Sequence, residues 1–330
     1  MIRLMQVELT RLRWRRAVLS LTAAAVLIPA IVFAAVCWNT RPVSDAEQQR
    51  VEQLVEADSQ QPSAQRDLEQ CINHPGQWGL QGRDDVEQAC ADLVLPQAEW
   101  YSERAPLDLR MESREGSGVA LIVVLGILML LAGTTFAGHD WNSGSMSNQL
   151  LFDPRRSRVW TTKALVVLAY GLVVSGLVLT AYWTGMYAVA SARDIGLASG
   201  EVSALYTQVL RGTLLAGGAA VGGYALTMLL RSTVATLGIL FAVSIAAPLL
   251  LSLLAFPGHQ RLMPHNNGIA LINDGITVTD FSDPACFDGP AEGAGCVTTI
   301  TRGDGAIYFG ALLLVVGVPS LLLFRRRDVP

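Results

Sequence analysis

Six apolar runs constrain this chain more than any other feature: 17–37, 118–137, 164–190, 212–230, 234–256 and 306–324, none of which holds an aspartate or glutamate. Each has roughly the 20 residues needed to cross a hydrocarbon core about 30 Å thick. A backbone in that medium must satisfy its own hydrogen bonds, so the runs predict helices. Charged residues make up only 16% of the chain, against about 25% in soluble domains. The predicted class is an all-α membrane protein with six transmembrane helices, an amphipathic N-terminal helix and two sizeable extracytoplasmic loops. A buried carboxylate usually marks an ion or proton route. Six spans without one argue against proton- or sodium-coupled transport.

The connecting segments sort by charge. Segments 1–16, 138–163, 231–233 and 325–330 hold thirteen basic residues and four acids, whereas 38–117, 191–211 and 257–305 hold eleven basic residues and twenty-four acids. Basic residues collect in cytoplasmic loops, which predicts both termini inside and three loops outside, in a plasma membrane. The formal net charge of −4 conceals that split. The first apolar run, with its basic flank, resembles a signal peptide, but it exceeds the 7–15 residues of a typical signal core and reads as an uncleaved span.

All five cysteines fall at or beyond the outer ends of spans in this topology: Cys37, Cys71, Cys90, Cys286 and Cys296. An oxidising exterior permits disulfides, and the plainest of the three pairings open to the four loop cysteines joins Cys71 to Cys90 and Cys286 to Cys296. A metal site at Cys71, His74 and Cys90 lacks a fourth ligand, so no metal is expected.

Within 1–16, Ile2, Met5, Leu9 and Leu12 share one helical side, with Glu8, Arg11 and Arg15 roughly opposite. Such a helix lies along a headgroup layer or simply anchors the inner end of the first span. In the 38–117 loop, Ser44-Asp45-Ala46-Glu47 has capping-box spacing and opens a helix to about Glu56. Pro62 starts another towards Cys71, and Asp84-Asp85 caps a third through Cys90. The loop reads as a small acidic helical cap, whose charge suits cationic rather than anionic ligands. The 257–305 loop is rich in turn formers, including Asn266-Asn267-Gly268 and Asn273-Asp274-Gly275. Alternation in Ile276-Thr277-Val278-Thr279 suggests a short strand, and His259 and His265 read as exposed and idle. In the fourth span Gly218 and Gly222 form a small-xxx-small pair that predicts close helix packing. Pro29, Pro248 and Pro319 mark candidate kinks.

No P-loop is present: the sole lysine, Lys163, follows Thr161-Thr162 instead of a glycine. The chain also lacks His-Glu-x-x-His and Gly-x-Ser-x-Gly, and His139, Asp140, Ser143 and Ser145 on one inner loop do not make a hydrolytic site. The chain is therefore not expected to be an enzyme by itself, and nothing in it points to nucleic acid.

The stretch 138–163 carries a resemblance. Asp140 leaves the second span, Gly144-Ser145 follows after three residues, Pro154 with Arg155, Arg156 and Arg158 makes a basic turn, and Lys163 opens the third span. This pattern resembles the ABC-2 type permeases, the membrane subunits of ATP-driven exporters, with Asp for the commoner Glu and Ser for Thr. The resemblance covers the six-span core and leaves 38–117 aside. It implies that a short helix over 145–152 projects from the membrane as a coupling helix for a cytoplasmic ATPase. Asp140, Gly144, Ser145, Leu150, Pro154, Arg155, Arg158 and Lys163 would serve that coupling, the basic groups holding the base of the helix at the anionic inner surface. It further implies ATP and Mg on a separate subunit, a second permease copy or homologous permease, membrane lipid as surroundings, and an amphipathic, drug-like or lipid-like cargo. A non-transporting membrane sensor or envelope-assembly partner, binding through its outer loops, is the alternative. The ratio of 23 Arg to one Lys points to a GC-rich, actinobacterial genome.

Overall fold

The computed structural model describes residues 2–80, 85–101, 104, 106–254, 256, 258–279 and 296–326. Five of the apolar runs lie wholly on a helix and the run at 234–256 is helical through Leu254, and most of these helices outlast their run. In chain order the helices are α1 (Ile2–Arg13), α2 (Arg16–Asn39), α3 (Asp45–Ser59), α4 (Pro62–Asn73), α5 (Val86–Val94), α6 (Ala98–Tyr101) and α7 (Leu109–Arg114). They continue with α8 (Ser117–Asn142), α9 (Ser145–Phe152), α10 (Arg156–Ala192), α11 (Glu201–Leu230), α12 (Thr233–Leu254), α13 (Pro264–Asn273) and α14 (Arg302–Arg326). Six of them, α2, α8, α10, α11, α12 and α14, are long and apolar enough to cross a membrane, so this is a multi-pass membrane protein. The 37 residues of α10 span about 55 Å at 1.5 Å per residue. That exceeds the hydrocarbon thickness and carries the charged start of α10 beyond its apolar run.

The chain divides into two compact units. One comprises 1–33, 109–191 and 196–330; the other comprises 34–108 and 192–195.

In the first unit, α8 and α11 pack backbone to backbone. A Cβ at Gly133 would collide with the Ala220 carbonyl, and one at Gly223 with the Leu130 carbonyl. Without a water-driven force between helices in lipid, such close approach is what van der Waals packing requires. Gly218 and Gly222 do not make this contact. They face Leu313 of α14, where a Cβ would sit 3.3 and 3.4 Å from its methyl groups. Helical periodicity puts Gly223 on the crowded face and its neighbour Gly222 on a looser one. A polar lock joins α10, α11 and α14: Trp160 Nε1 donates to Ser320 Oγ at 3.1 Å, and Tyr224 Oη donates to the Trp160 carbonyl at 3.0 Å. Pro29, Pro248 and Pro319 all lie inside helices.

The expected strand is present as β1 (Ile276–Thr279), paired antiparallel with β2 (Val297–Ile300), Ile276 opposite Ile300. The segment before it differs from expectation. Asn266-Asn267-Gly268 is not a turn but part of α13, which Pro264 starts at its first position. Both asparagines are buried and donate to carbonyls, Asn266 to Gln260 at 3.0 Å and Asn267 to Arg261 at 2.7 Å. Asn273-Asp274-Gly275 does turn the chain, with positive φ at Asp274 and Gly275. His259 is buried, its Nδ1 3.0 Å from the Phe256 carbonyl; His265 is exposed.

In the second unit, Ser44 caps α3 by accepting from the Glu47 N–H at 3.4 Å, and Asp85 stands at the N-cap of α5. Asp84 lies outside the described residues. The unit buries few side chains, chiefly Cys71, Ala89, Cys90 and Leu107, and the Cys71–Cys90 disulfide staples α4 to α5. Cys296 is also disulfide-bonded; Cys286 lies outside the described residues. Tyr101 donates to Asp58, and that bond is the main reason its phenol titrates above the ordinary value. Arg193 clasps the end of α2 through the Thr40 and Cys37 carbonyls at 2.7 and 2.9 Å.

Two outcomes follow from this packing. Gly223→Ala lowers stability by about 2 kcal/mol, the scale of overpacking a tight contact, whereas Gly222→Ala changes it little; thermal unfolding in detergent separates them. Cys71→Ser removes a 19-residue cross-link worth about 3 kcal/mol, and limited proteolysis should then cut within 45–94 first.

Candidate functional site

Four charged side chains meet where α1, α8, α9 and α10 converge. Glu8 of α1 and Lys163 of α10 are fully buried, Asp140 near the end of α8 is 1% exposed, and Arg15 lies in the short link between α1 and α2. Lys163 Nζ donates to Glu8 Oε2 and to Asp140 Oδ2, both at 2.6 Å. Arg15 donates to Asp140 Oδ1 and, at 2.6 Å, to the Phe136 carbonyl. Both cations also lie over the Phe136 ring, at 4.8 Å for Arg15 and 5.0 Å for Lys163.

Each carboxylate also accepts one hydrogen bond from α9. Ser145 Oγ donates to Asp140 Oδ1 at 2.9 Å, and Gln149 Nε2 donates to Glu8 Oε1 at 2.6 Å. Arg11, half exposed, stands 3.7 Å from Glu8 at the rim. Two acids and two bases thus sum to zero, which is the condition for holding them out of water. Desolvating a charge costs several kcal/mol, and only good geometry with full hydrogen bonding offsets it. With each carboxylate held by a cation and by a polar donor from α9, the cluster's capacity is mechanical: it ties four helices of separate sequence origin into one corner.

The local sequence explains the corner's shape. Gly144 takes the left-handed conformation, φ +68°, between α8 and α9, which glycine adopts without strain. Open space surrounds it, so the requirement is conformational and not one of fit. After the eight residues of α9, Asp153-Pro154 ends the helix, since a proline disfavours helix in the residue before it. Asp153 accepts the Arg155 N–H at 3.2 Å and pairs with Arg158 at 3.9 Å. The tip of α9 is apolar and bare: Leu151 is 81% exposed and Phe152 91%. Behind it, Arg156 reaches the Phe324 carbonyl at 3.5 Å, and Arg231 stacks on Trp141 at 4.9 Å. These contacts join the ends of α11 and α14 to the corner.

The residues singled out on 138–163 therefore part company. Asp140, Ser145 and Lys163 belong to the buried cluster, and Gly144 makes the turn. Leu150 is half-buried, Pro154 and Arg155 are exposed, and Arg158 is engaged with Asp153. Lys163 does not sit at a headgroup surface as expected, because two carboxylates draw it inward. Glu8 and Arg15 do not lie on a solvent face opposite an apolar stripe. The inward face of α1 centres on Glu8 and Leu12, both fully buried, while Leu9 is 48% exposed. The overlooked signal was Glu8 itself, the lone acid among five arginines in 1–16. Gln149, Leu151 and Phe152 carried none beyond their place on the short helix. Among the described residues no His, Cys, Asp or Glu side chains gather to hold a metal ion.

No protein-family model, curated protein or solved structure matches this chain.

Charge balance makes the cluster testable. Lys163→Met leaves two buried carboxylates facing one arginine and is expected to cost about 3–5 kcal/mol, the scale of breaking a buried pair. Adding Glu8→Gln restores neutrality with the Asp140–Arg15 pair intact, so the double variant should unfold at a higher temperature than Lys163→Met alone. Additive losses, read by thermal unfolding in detergent, would contradict the cluster as a coupled unit.

Proposed function

We propose that this chain is the permease subunit of an ATP-driven exporter of the ABC-2 type, energised by a separate cytoplasmic ATPase that grips α9. The observation that carries the reading is the bare apolar tip, Leu151 and Phe152, on a helix whose root is anchored in the buried cluster. An exposed hydrophobic pair on a rigid projection is a docking element. Its attachment through Asp140, Ser145, Gln149 and Lys163 gives it leverage on α1, α8 and α10 together. Nucleotide-driven closure of the ATPase would then tilt these helices as a body.

The charge sorting of the connecting segments supports placing α9 and both termini on the cytoplasmic side of a bacterial plasma membrane. ATP and Mg belong to the partner, since this chain has no phosphate-binding loop. Thr236 is the only buried side chain on α12 among the described residues, which leaves an apolar helix for a second permease copy and for lipid. An amphipathic or lipid-like cargo fits spans without acids. The disulfide-stapled second unit favours, as a second reading, a sensor or assembly partner that binds outside the cell.

Affinity purification of the full chain from its native membranes in mild detergent discriminates the two. The eluate is expected to hydrolyse ATP, and Leu151→Ser with Phe152→Ser should cut the co-purified activity at least roughly tenfold, the scale of losing two central apolar anchors, with unfolding temperature unchanged. An eluate without ATPase, or one indifferent to the substitutions, overturns the proposal.

A further inference from the structure

Two buried contacts fix the depth and direction of α1. Glu8 is bonded to Lys163, which stands immediately before the 164–190 run, and Arg15 is bonded to Asp140, three residues beyond the 118–137 run. At 1.5 Å per residue, both anchors on the spans lie within about 5 Å of the hydrocarbon boundary. Along α1 and its continuation, Glu8 and Arg15 are about 10 Å apart. Helical bonding carries on past Arg13, since the Trp14 N–H donates to the Thr10 carbonyl at 3.2 Å. With both points at one depth, α1 runs along the boundary and not through it, and Arg16 then starts α2 and its span.

A helix held flat by one side presents the other to its surroundings. Glu8, Leu12 and Arg15 take the side of the cluster. Opposite them Arg3, Val7, Thr10 and Trp14 recur at i, i+4, i+7 and i+11, the spacing that stacks side chains on one helical face. All four are exposed, Val7 by 49% and Trp14 by 71%, and the exposed Arg13 flanks them. Thr10 spends its hydroxyl on the Gln6 carbonyl at 2.9 Å. Among the described residues Arg3 and Arg13 make no ion pair. The only acid in 1–44 is Glu8, and the cluster has taken it out of reach.

We propose that α1 docks through this stripe on anionic phospholipid headgroups, with Arg3 and Arg13 on phosphates and Val7 and Trp14 among the upper acyl carbons, and that the lipid thereby holds the Glu8 cluster together. Charge complementarity selects the occupant: two uncompensated guanidinium groups flank apolar side chains at headgroup depth, where tryptophan and arginine anchor interfacial helices. Each such cation gains attraction from an anionic surface that a zwitterionic one does not supply. An acidic soluble protein would satisfy the arginines, but Trp14 stands two residues before the span, at the depth of lipid. Because Glu8 lies on the opposite side of the same helix, lipid bound to α1 in the folded state alone stabilises the corner by linkage. Neither the docking nor this linkage requires an ATPase at α9.

The test uses the full chain in nanodiscs of phosphatidylcholine, with and without 30% phosphatidylglycerol, the fraction being on the order of that in an anionic membrane. A phosphatidylglycerol probe with a photoreactive headgroup should label 3–16, with displacement by unlabelled phosphatidylglycerol but not by inorganic phosphate, and the anionic lipid should raise the unfolding temperature. Arg3→Gln with Arg13→Gln should weaken labelling of 3–16 at least about tenfold, two cations at the strength of an anionic surface, and abolish the thermal shift. Its unfolding temperature in phosphatidylcholine alone should match that of the unaltered chain. Arg325→Gln with Arg326→Gln, which removes the same charge from the end of α14, should leave both readouts in place. Equal labelling by a phosphatidylcholine probe, displacement by inorganic phosphate, equal losses in the α14 variant, or a double α1 variant already less stable in phosphatidylcholine would overturn the proposal. Loss of ATPase association in the α9 variants, with the lipid effect intact, would leave this site standing by itself.

Discussion

The charge of Lys163, taken out of water between Glu8 and Asp140, sets the terms for one whole corner of this protein. A buried ammonium costs several kcal/mol unless compensated, and compensation here demands that three helices arrive together. The α1 helix must bring Glu8, α8 must extend past its apolar run to bring Asp140, and α10 must begin early enough to place Lys163 between them. Arg15 then balances the second carboxylate, which fixes the link from α1 into α2. Each partner is needed because the others are buried.

That mutual dependence gives α9 its rigidity. An isolated eight-residue helix is marginal in water, yet this one is held at its first turn by Ser145 on Asp140 and in its middle by Gln149 on Glu8. Its last two residues are then free to present Leu151 and Phe152. A rigid lever with a sticky end is the physical content of the proposed coupling role. At the same time α8 and α11 meet through Gly133 and Gly223 without side-chain cushions, backbone against backbone.

The two units rest on different physics. The membrane-spanning one is built on helix length, small-residue contacts and one neutral ion cluster. The 34–108 unit has few apolar side chains to bury and relies on the Cys71–Cys90 bond and on local caps. The described part of the 257–305 segment shows how apparent turn chemistry yields to tertiary context. Asn266 and Asn267 are turn formers by propensity, but the carbonyls of Gln260 and Arg261 give their buried side chains partners, and Pro264 gives the helix a start.

By itself the sequence determined the six helices, the short helix over 145–152 and the strand at 276–279, along with α3, α4 and α5 of the 34–108 unit but not α6. Hydrophobic length, glycine and proline punctuation and capping residues act locally, within a few residues of one another. It also offered Cys71 and Cys90 as a plausible pair, but the choice among three pairings needed proximity in space. Only the tertiary structure decided that Lys163 turns inward, that Glu8 joins it across 155 residues, and that Gly223 rather than Gly222 makes the tight contact. These outcomes depend on which faces meet and on where opposite charges neutralise each other, and helical periodicity places a residue on a face without naming what that face will touch.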